Sequence, residues 1–195
     1  MEPTRIVTGR ALPLERANVD TDQIIPSHWL KRIERTGYAL GLFEAWRRDP
    51  SFVLNDDRYR GANILIAGAN FGCGSSREHA VWALRESGFR AVIAPTIADI
   101  FKSNAIKNGL VPVELESDAV SRLLAAVKAD AGTTITVDVA QRTVAAPGLE
   151  APFALADFFQ TYLLEGLDDI ALTLRHESDI AAFEAKRAEW LPRVR

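Results

Sequence analysis

Short runs of consecutive apolar residues alternate with amphipathic stretches through the middle of the chain, a pattern expected of buried parallel strands joined by helices. Ala62-Asn63-Ile64-Leu65-Ile66-Ala67 reads as such a strand. It passes through a glycine-rich segment, Gly68 to Gly74, into a helix predicted from about Ser76 to Ser87 and closed by Gly88. Arg90 to Ala94 forms a second strand, so the whole is a beta-alpha-beta unit with parallel strands. In the next unit Ile97, Ile100, Phe101, Ala105 and Ile106 make one helical stripe that stops at Gly109, and Leu110 to Glu114 returns as a strand. Ser117 is placed to cap a further helix burying Val120, Leu123, Leu124 and Val127. Thr134 to Val139 then alternates like a half-buried strand, with a hairpin turn at Gln141-Arg142.

The two ends are less regular. Arg5 to Leu12 reads as an extended strand, whereas Asn18 to Pro26 is polar at its start, lacks helical periodicity and reads as a loop. From His28 to Arg48 aromatic residues mix with Lys31, Arg32, Arg35, Arg47 and Arg48, and Gly37 and Gly41 interrupt them. Short helical turns at best are expected there, in a mobile or partner-facing segment. Past the hairpin the chain looks helical: Leu155, Phe158, Phe159, Tyr162 and Leu163 share a stripe ending at Gly166. Ile180, Phe183, Trp190 and Leu191 suggest a final amphipathic helix, with Lys186 and Arg187 near its C-terminal end, where cations suit the helix dipole. Asp168 and Asp169 read as first-turn helix charges, and Trp82 and Trp190 are expected in a core or an interface. With no internal repeat and no linker, residues 1–195 are expected to form a single α/β domain with a C-terminal helical extension from about residue 155.

Composition narrows the function. The chain has 195 residues, 48% hydrophobic and 25% charged, enough apolar surface for a substantial core. A formal charge of -3 gives no global attraction to nucleic acid or to an anionic membrane, so neither partner is expected and any anion site must be local. The first residues show no basic stretch followed by an apolar core, and no apolar run approaches membrane-spanning length, so a soluble cytoplasmic protein is expected. Cys73 is the single cysteine. This chain therefore has no internal disulfide, and by itself it cannot build a cysteine-ligated iron-sulfur cluster or structural zinc site. His28, His79 and His176 are too scattered in sequence to suggest a metal site, and no metal ligand is assigned in this chain.

Gly68, Gly72 and Gly74 sit at the carboxyl end of a strand just before a helix, where open parallel sheets place ligands and unpaired N–H groups favour anions. Neither nucleotide loop is present: no Gly-Lys-Ser/Thr comes next, and Arg77 stands where a dinucleotide fingerprint needs its third glycine. The glycines instead lead into Ser75-Ser76-Arg77-Glu78-His79. Arg77 can hold a carboxylate through two parallel hydrogen bonds, and a serine beside that cation and a helix amino end has its alkoxide favoured, as a proton-abstracting base requires. The tetrad Ser75 to Glu78 also matches a capping box, with Ser75 as N-cap and Glu78 reaching back to it. Capping alone accounts for neither the glycines nor the arginine; those fit close approach to a small anion, with Gly74 and Ser76 among its contacts.

Three motifs in order, Asn18-Val19-Asp20-Thr21-Asp22-Gln23-Ile24-Ile25-Pro26, Gly72-Cys73-Gly74-Ser75-Ser76-Arg77-Glu78-His79 and Phe101-Lys102-Ser103-Asn104-Ala105-Ile106-Lys107-Asn108-Gly109-Leu110, resemble the swivelling domain of the aconitase superfamily. The likeness is to the separate small subunits of bacterial isopropylmalate isomerases and runs from about Arg5 to Trp190. It implies the swivelling β/β/α fold and a hydro-lyase of leucine biosynthesis, interconverting 2-isopropylmalate and 3-isopropylmalate through isopropylmaleate. It further implies Ser75 as base, Arg77 as holder of a substrate carboxylate and Asp22 near the active site, while Asp20 is assigned only the organisation of its loop. A 4Fe–4S cluster acts as Lewis acid in that family; with one cysteine here, its ligands are expected from a large subunit, in an obligate hetero-oligomer inactive without it.

Substrate choice in the resembling family is set by the loop after the Asp-Thr-Asp motif, here Trp29 to Gly37. Leu30 is placed to meet an isopropyl group and Lys31 or Arg32 a carboxylate of the small dicarboxylate substrate; a solvated basic loop fits the same residues. A homoaconitate or methylated maleate hydro-lyase therefore remains an alternative, as does an anion-binding module with no reaction of its own. Cys73 reads as a small loop residue, because a nucleophilic pairing with His79 lacks an orienting third group. His79 itself is expected to orient the loop or face the partner.

Overall fold

A computed structural model describes residues 1–34, 36–188, 190 and 191. One sheet of seven strands organises it: β1 (Ile6–Leu14), β2 (Ile64–Ala67), β3 (Ala91–Ala94), β4 (Val111–Glu114), β5 (Thr134–Asp138), β6 (Thr143–Ala146) and β7 (Leu149–Pro152), in the order β4-β3-β2-β1-β5-β6-β7. The helices are α1 (Thr21–Ile24), α2 (Glu44–Arg47), α3 (Glu78–Glu86), α4 (Asp99–Lys107), α5 (Ser117–Ala129), α6 (Asp157–Glu165), α7 (Asp169–Leu174) and α8 (Glu177–Ala185).

Strand β1 joins two kinds of sheet. Its second half, Ala11 to Leu14, pairs in parallel with β2, and β2, β3 and β4 continue the parallel ladder. Its first half, Ile6 to Arg10, pairs antiparallel with β5, and β6 and β7 extend that side as hairpins. Burial follows the change: Ala11 to Leu14, β2 and β3 are buried throughout, whereas Ile6 to Arg10 and β5 show a half-solvated face. Parallel strands covered on both faces need continuous apolar runs, while an antiparallel sheet can keep one face wet. At the seam the Asn63 amide donates to the Thr8 carbonyl at 3.0 Å. Gly9 allows that approach, since a Cβ there would lie 2.0 Å from Asn63 Oδ1.

The predicted parallel units are present, with differences at helix ends and faces. Phe101, Ala105 and Ile106 are buried by α4, but Ile97 precedes that helix and Ile100 is 53% exposed, turned by one helical residue off the stripe. Val120, Leu123, Leu124 and Val127 are buried on α5 as expected; its N-cap is Glu116, and Ser117 is the first helical residue, its carbonyl accepting from the Ser121 hydroxyl at 2.8 Å. Strands β6 and β7 go beyond the hairpin turn that the sequence suggests: each has four residues, too few for a clear alternation, around the Pro147-Gly148 turn.

From residue 28 to 48 the chain does form only short turns, 3-10 helices over Ser27–Lys31 and Tyr38–Gly41 followed by α2. The later part of that segment is nonetheless core: Tyr38, Leu42 and Phe43 are buried, and Phe43 stacks on Trp46 at 5.3 Å between ring centroids. Arg35, one of the basic set in this segment, lies outside the described residues.

At the C-terminal side Tyr162 and Leu163 of α6 are buried, Leu155 packs before the helix starts, Phe158 is exposed, and Gly166 ends the helix in left-handed conformation. The Tyr162 hydroxyl donates to the Asp169 carboxylate at 3.0 Å, and burial with that neighbour pushes the phenol up to about 12. Asp168 caps α7, and Asp169 lies in its first turn. The final helix is shorter than its apolar spacing implies. It stops at Ala185, so Lys186 is its C-cap, Trp190 and Leu191 lie beyond it, and Phe183 and Trp190, 71% and 82% exposed, are outside this chain's own core. Among the described residues no helix is long and apolar enough to cross a membrane.

Candidate active site

The glycine-rich segment leaves the carboxyl end of β2 and is held from two sides. On one side the Phe71 N–H donates to the Thr96 carbonyl at 3.1 Å and the Phe71 carbonyl accepts from the Ala98 N–H at 2.9 Å. The Phe71 ring packs edge-on against Phe101 of α4, with centroids 5.2 Å apart. Gly72 must turn over that aromatic wall: its φ is 75°, and a Cβ would lie 2.3 Å from Phe101 Cγ. Only glycine meets both demands.

On the other side stands the Asn18–Pro26 segment, which contains a helical turn in place of the expected loop. Asp20 caps α1, accepting from the Gln23 N–H at 2.8 Å while the Asp20 N–H donates to Gln23 Oε1 at 2.9 Å. This reciprocal capping box stabilises four residues too few to show periodicity, and it gives Asp20 the organising role expected of it. From this frame the Val19 carbonyl accepts from the Gly72 N–H at 2.7 Å, and Thr21 donates through its N–H to the Cys73 carbonyl at 3.0 Å and through its hydroxyl to the Ser75 carbonyl at 2.9 Å. Asp22 forms an ion pair with Arg77.

Helix α3 begins at Glu78, two residues later than predicted. Arg77, in extended conformation and without a side-chain cap bond, is its N-cap, so Ser75 is not a cap. Glu78 faces away from Ser75, its carboxylate accepting from the Asn108 amide at 2.8 Å. That contact removes the reciprocal arm of the capping box. Gly74, Ser75 and Ser76 are exposed, while the Arg77 side chain is only 16% exposed against 55% for Asp22. The loop thus presents an exposed serine and, two residues on, a guanidinium anchored on one side by an internal carboxylate. Such a guanidinium keeps further N–H donors for a second anion.

Next in the chain, His79 packs against both Tyr38 and Trp82 at centroid distances of 5.4 and 4.6 Å, and Trp82 donates to the Asn108 side chain at 3.0 Å. Burial lowers the His79 imidazole below its ordinary 6.5, Arg77 adding to the effect and Glu78 opposing it. The unfolded chain therefore takes up this proton first as pH falls, so stability is present above 6.5 and declines on acidification until the folded imidazole also titrates. Urea unfolding from about pH 7.5 to about pH 5.5 is expected to show a steeper loss for the native subunit than for His79→Phe; equal pH slopes would contradict the lowered affinity of the half-buried imidazole for its proton.

Leu30, Lys31 and Arg32 make their contacts within their own turn. Leu30 is half-buried in the 3-10 turn Ser27–Lys31 and Lys31 is exposed. Arg32 lies over the Trp29 ring, 5.3 Å from its centroid, and 4.0 Å from Glu34. Among the described residues no hydrogen bond or ion pair joins these three to Ser75, Ser76 or Arg77. Cys73 is half-buried, and the described residues contain no group of three or more His, Cys, Asp or Glu side chains placed to hold a metal ion. One cysteine does not fit the ligand set of an iron-sulfur cluster. Sequence reasoning missed Thr21 and Gln23, although Asp20-x-x-Gln23 carries the spacing of a capping box.

Residues 1–118 match the family model described as the aconitase C-terminal domain, residues 121–157 one described as LeuD_N, and residues 169–194 one described as the C-terminal domain of the 3-isopropylmalate dehydratase small subunit. Over 192 residues the chain is 62% identical to the 3-isopropylmalate dehydratase small subunit of a Parafrankia species, covering 98% of each chain. It is 59% identical over 194 residues to the subunit of the same name from Rubrobacter xylanophilus, covering 100% of both. A crystal structure of 3-isopropylmalate dehydratase from Methanocaldococcus jannaschii superposes with a TM-score of 0.65 at 26% identity, covering 91% of this chain and 99% of that one.

Proposed function

Since the chain belongs to the family of 3-isopropylmalate dehydratase small subunits, we propose that its Gly72–Arg77 loop is the proton-transfer and carboxylate-holding half of an active site completed by a large subunit. Such a small subunit is part of a hydro-lyase, and the family name implies the dehydration of isopropylmalate in leucine biosynthesis. One observation carries the reading: an exposed Ser75 lies two residues from an arginine already fixed by Asp22, on a loop fastened at both flanks.

Dehydration removes a proton from a carbon beside a carboxylate and hydroxide from the neighbouring carbon. Ser75, as alkoxide, accepts that proton; the electron pair of the broken C–H bond becomes part of the new double bond. On rehydration the serine returns a proton, and adding water in the opposite sense moves the hydroxyl by one carbon. Arg77 grips the carboxylate of the substrate through donors that Asp22 leaves open, and Asp22 keeps the guanidinium aimed. Ser76 and the Gly74 backbone line the same anion site. Leu30, Lys31 and Arg32 come to the substrate from the neighbouring turn, with Leu30 for the isopropyl group and the cations for the second carboxylate.

The 4Fe–4S cluster belongs, in this proposal, to the cytoplasmic partner subunit, and no residue of this chain is offered as its ligand. The test is reconstitution. Each subunit is purified separately, and formation of the alkene from 2-isopropylmalate is followed for the two alone and together. Turnover only in the mixture is expected; turnover by this chain alone would overturn the half-site, and a preference for homoaconitate or a methylated maleate would overturn the substrate assignment.

A further inference from the structure

Thr21 is 2% exposed, one of two buried polar residues among the described residues, and it sits beside buried Ile24 and Ile25. A hydroxyl in such surroundings is costly unless bonded. Both of its donors go to the catalytic loop, the N–H to the Cys73 carbonyl and the hydroxyl to the Ser75 carbonyl, at 3.0 and 2.9 Å. Between those two carbonyls lies Gly74, exposed and at φ 85°, the residue type with the widest backbone freedom. Thr21 thus grips the chain on either side of its most pliable link. The next residue along, Asp22, holds Arg77, and Asp20 and Gln23 close the turn that carries both.

We propose that Thr21 is a positioning residue for the dehydration, fixing Ser75 relative to Arg77 through the Ser75 carbonyl. The inference rests on the reading of Ser75 as the base. Through α1, the two groups that act on substrate become one rigid unit: Arg77 is set by Asp22 and Ser75 by Thr21. Removing the Thr21 hydroxyl leaves Gly74 free to pivot, which displaces the serine without touching the substrate.

In the reconstituted two-subunit enzyme, Thr21→Val is expected to lower kcat by about 10- to 100-fold, the effect of a displacement near 1 Å, with KM within about 3-fold of native. Thr21→Ser, which restores the donor, is expected to recover kcat to within about 3-fold. A merely structural role predicts a loss of stability or assembly, also restored with the hydroxyl, but not the kcat-only loss. In a Ser75→Ala background, Thr21→Val is expected to add less than about 2-fold, because residues acting as a unit are non-additive. Native kcat in Thr21→Val, or an equal loss in the Ser75→Ala background, would overturn the role of Thr21. If the valine variant does not assemble, Thr21→Ala against Thr21→Ser makes the same comparison, and equal turnover of those two overturns it. Full turnover by Ser75→Ala with Thr21 intact is a different result: it removes the base itself.

Discussion

Replacing Ser75 with alanine in the assembled enzyme is expected to lower kcat by about 10²- to 10⁴-fold, the range of a positioned acid-base group. The structure separates this loss from a folding defect. Because Arg77 is the N-cap of α3 and Ser75 is exposed, the substitution removes no helix cap. The thermal or urea stability of the free subunit should then change by no more than about 0.5 kcal/mol, as for an ordinary surface change. A true cap would cost about 0.5 to 2 kcal/mol. Kinetics of the complex and unfolding of the subunit therefore decide between base and cap in one variant. A complex that assembles and turns over at the native rate would dismiss the base.

The second large effect is expected from Arg77→Lys. Lysine keeps the charge beside Asp22 but loses the planar fork, so it cannot grip a substrate carboxylate through two parallel hydrogen bonds while also bonded to Asp22. Loss of a charge-assisted hydrogen bond of about 1.5 to 3 kcal/mol lowers kcat/KM by about 10- to 100-fold, carried mainly by KM. Steady-state kinetics with 2-isopropylmalate measures it. A native KM in the lysine variant would show that Arg77 serves only Asp22.

Much of this is readable from the residues, for physical reasons that differ along the chain. The parallel half announces itself because strands buried on both faces must be apolar at every position, as Ile64 to Ala67 and Ala91 to Ala94 are. Strands of four residues on the half-solvated side, Thr143–Ala146 and Leu149–Pro152, carry no comparable signal. The glycine loop can be located and its chemistry anticipated from Ser75 and Arg77. Its cap cannot, because Ser-x-x-Glu spacing is compatible with Glu78 turning to Asn108, thirty residues on. The partner of Arg77, Asp22, is 55 residues away, and local spacing cannot show such a pair. Likewise the apolar spacing of Ile180 and Phe183 indicates a helix but not what would cover it; no residue of α8 is buried in this chain.

The split pairing of β1 sets an order on synthesis. Leu14 finds Ala67 early, and the contacts that fasten the glycine-rich loop all fall within the stretch matched by the aconitase C-terminal domain, residues 1–118. The remaining edge, Ile6 to Arg10, has to wait for Thr134 to Asp138 to leave the ribosome. At about 5 to 20 residues per second, the nascent chain carries an open strand edge for a time on the order of seconds. Thr8 and Arg10 on that edge are polar, which keeps it a poor template for pairing with a stranger until its own partner arrives.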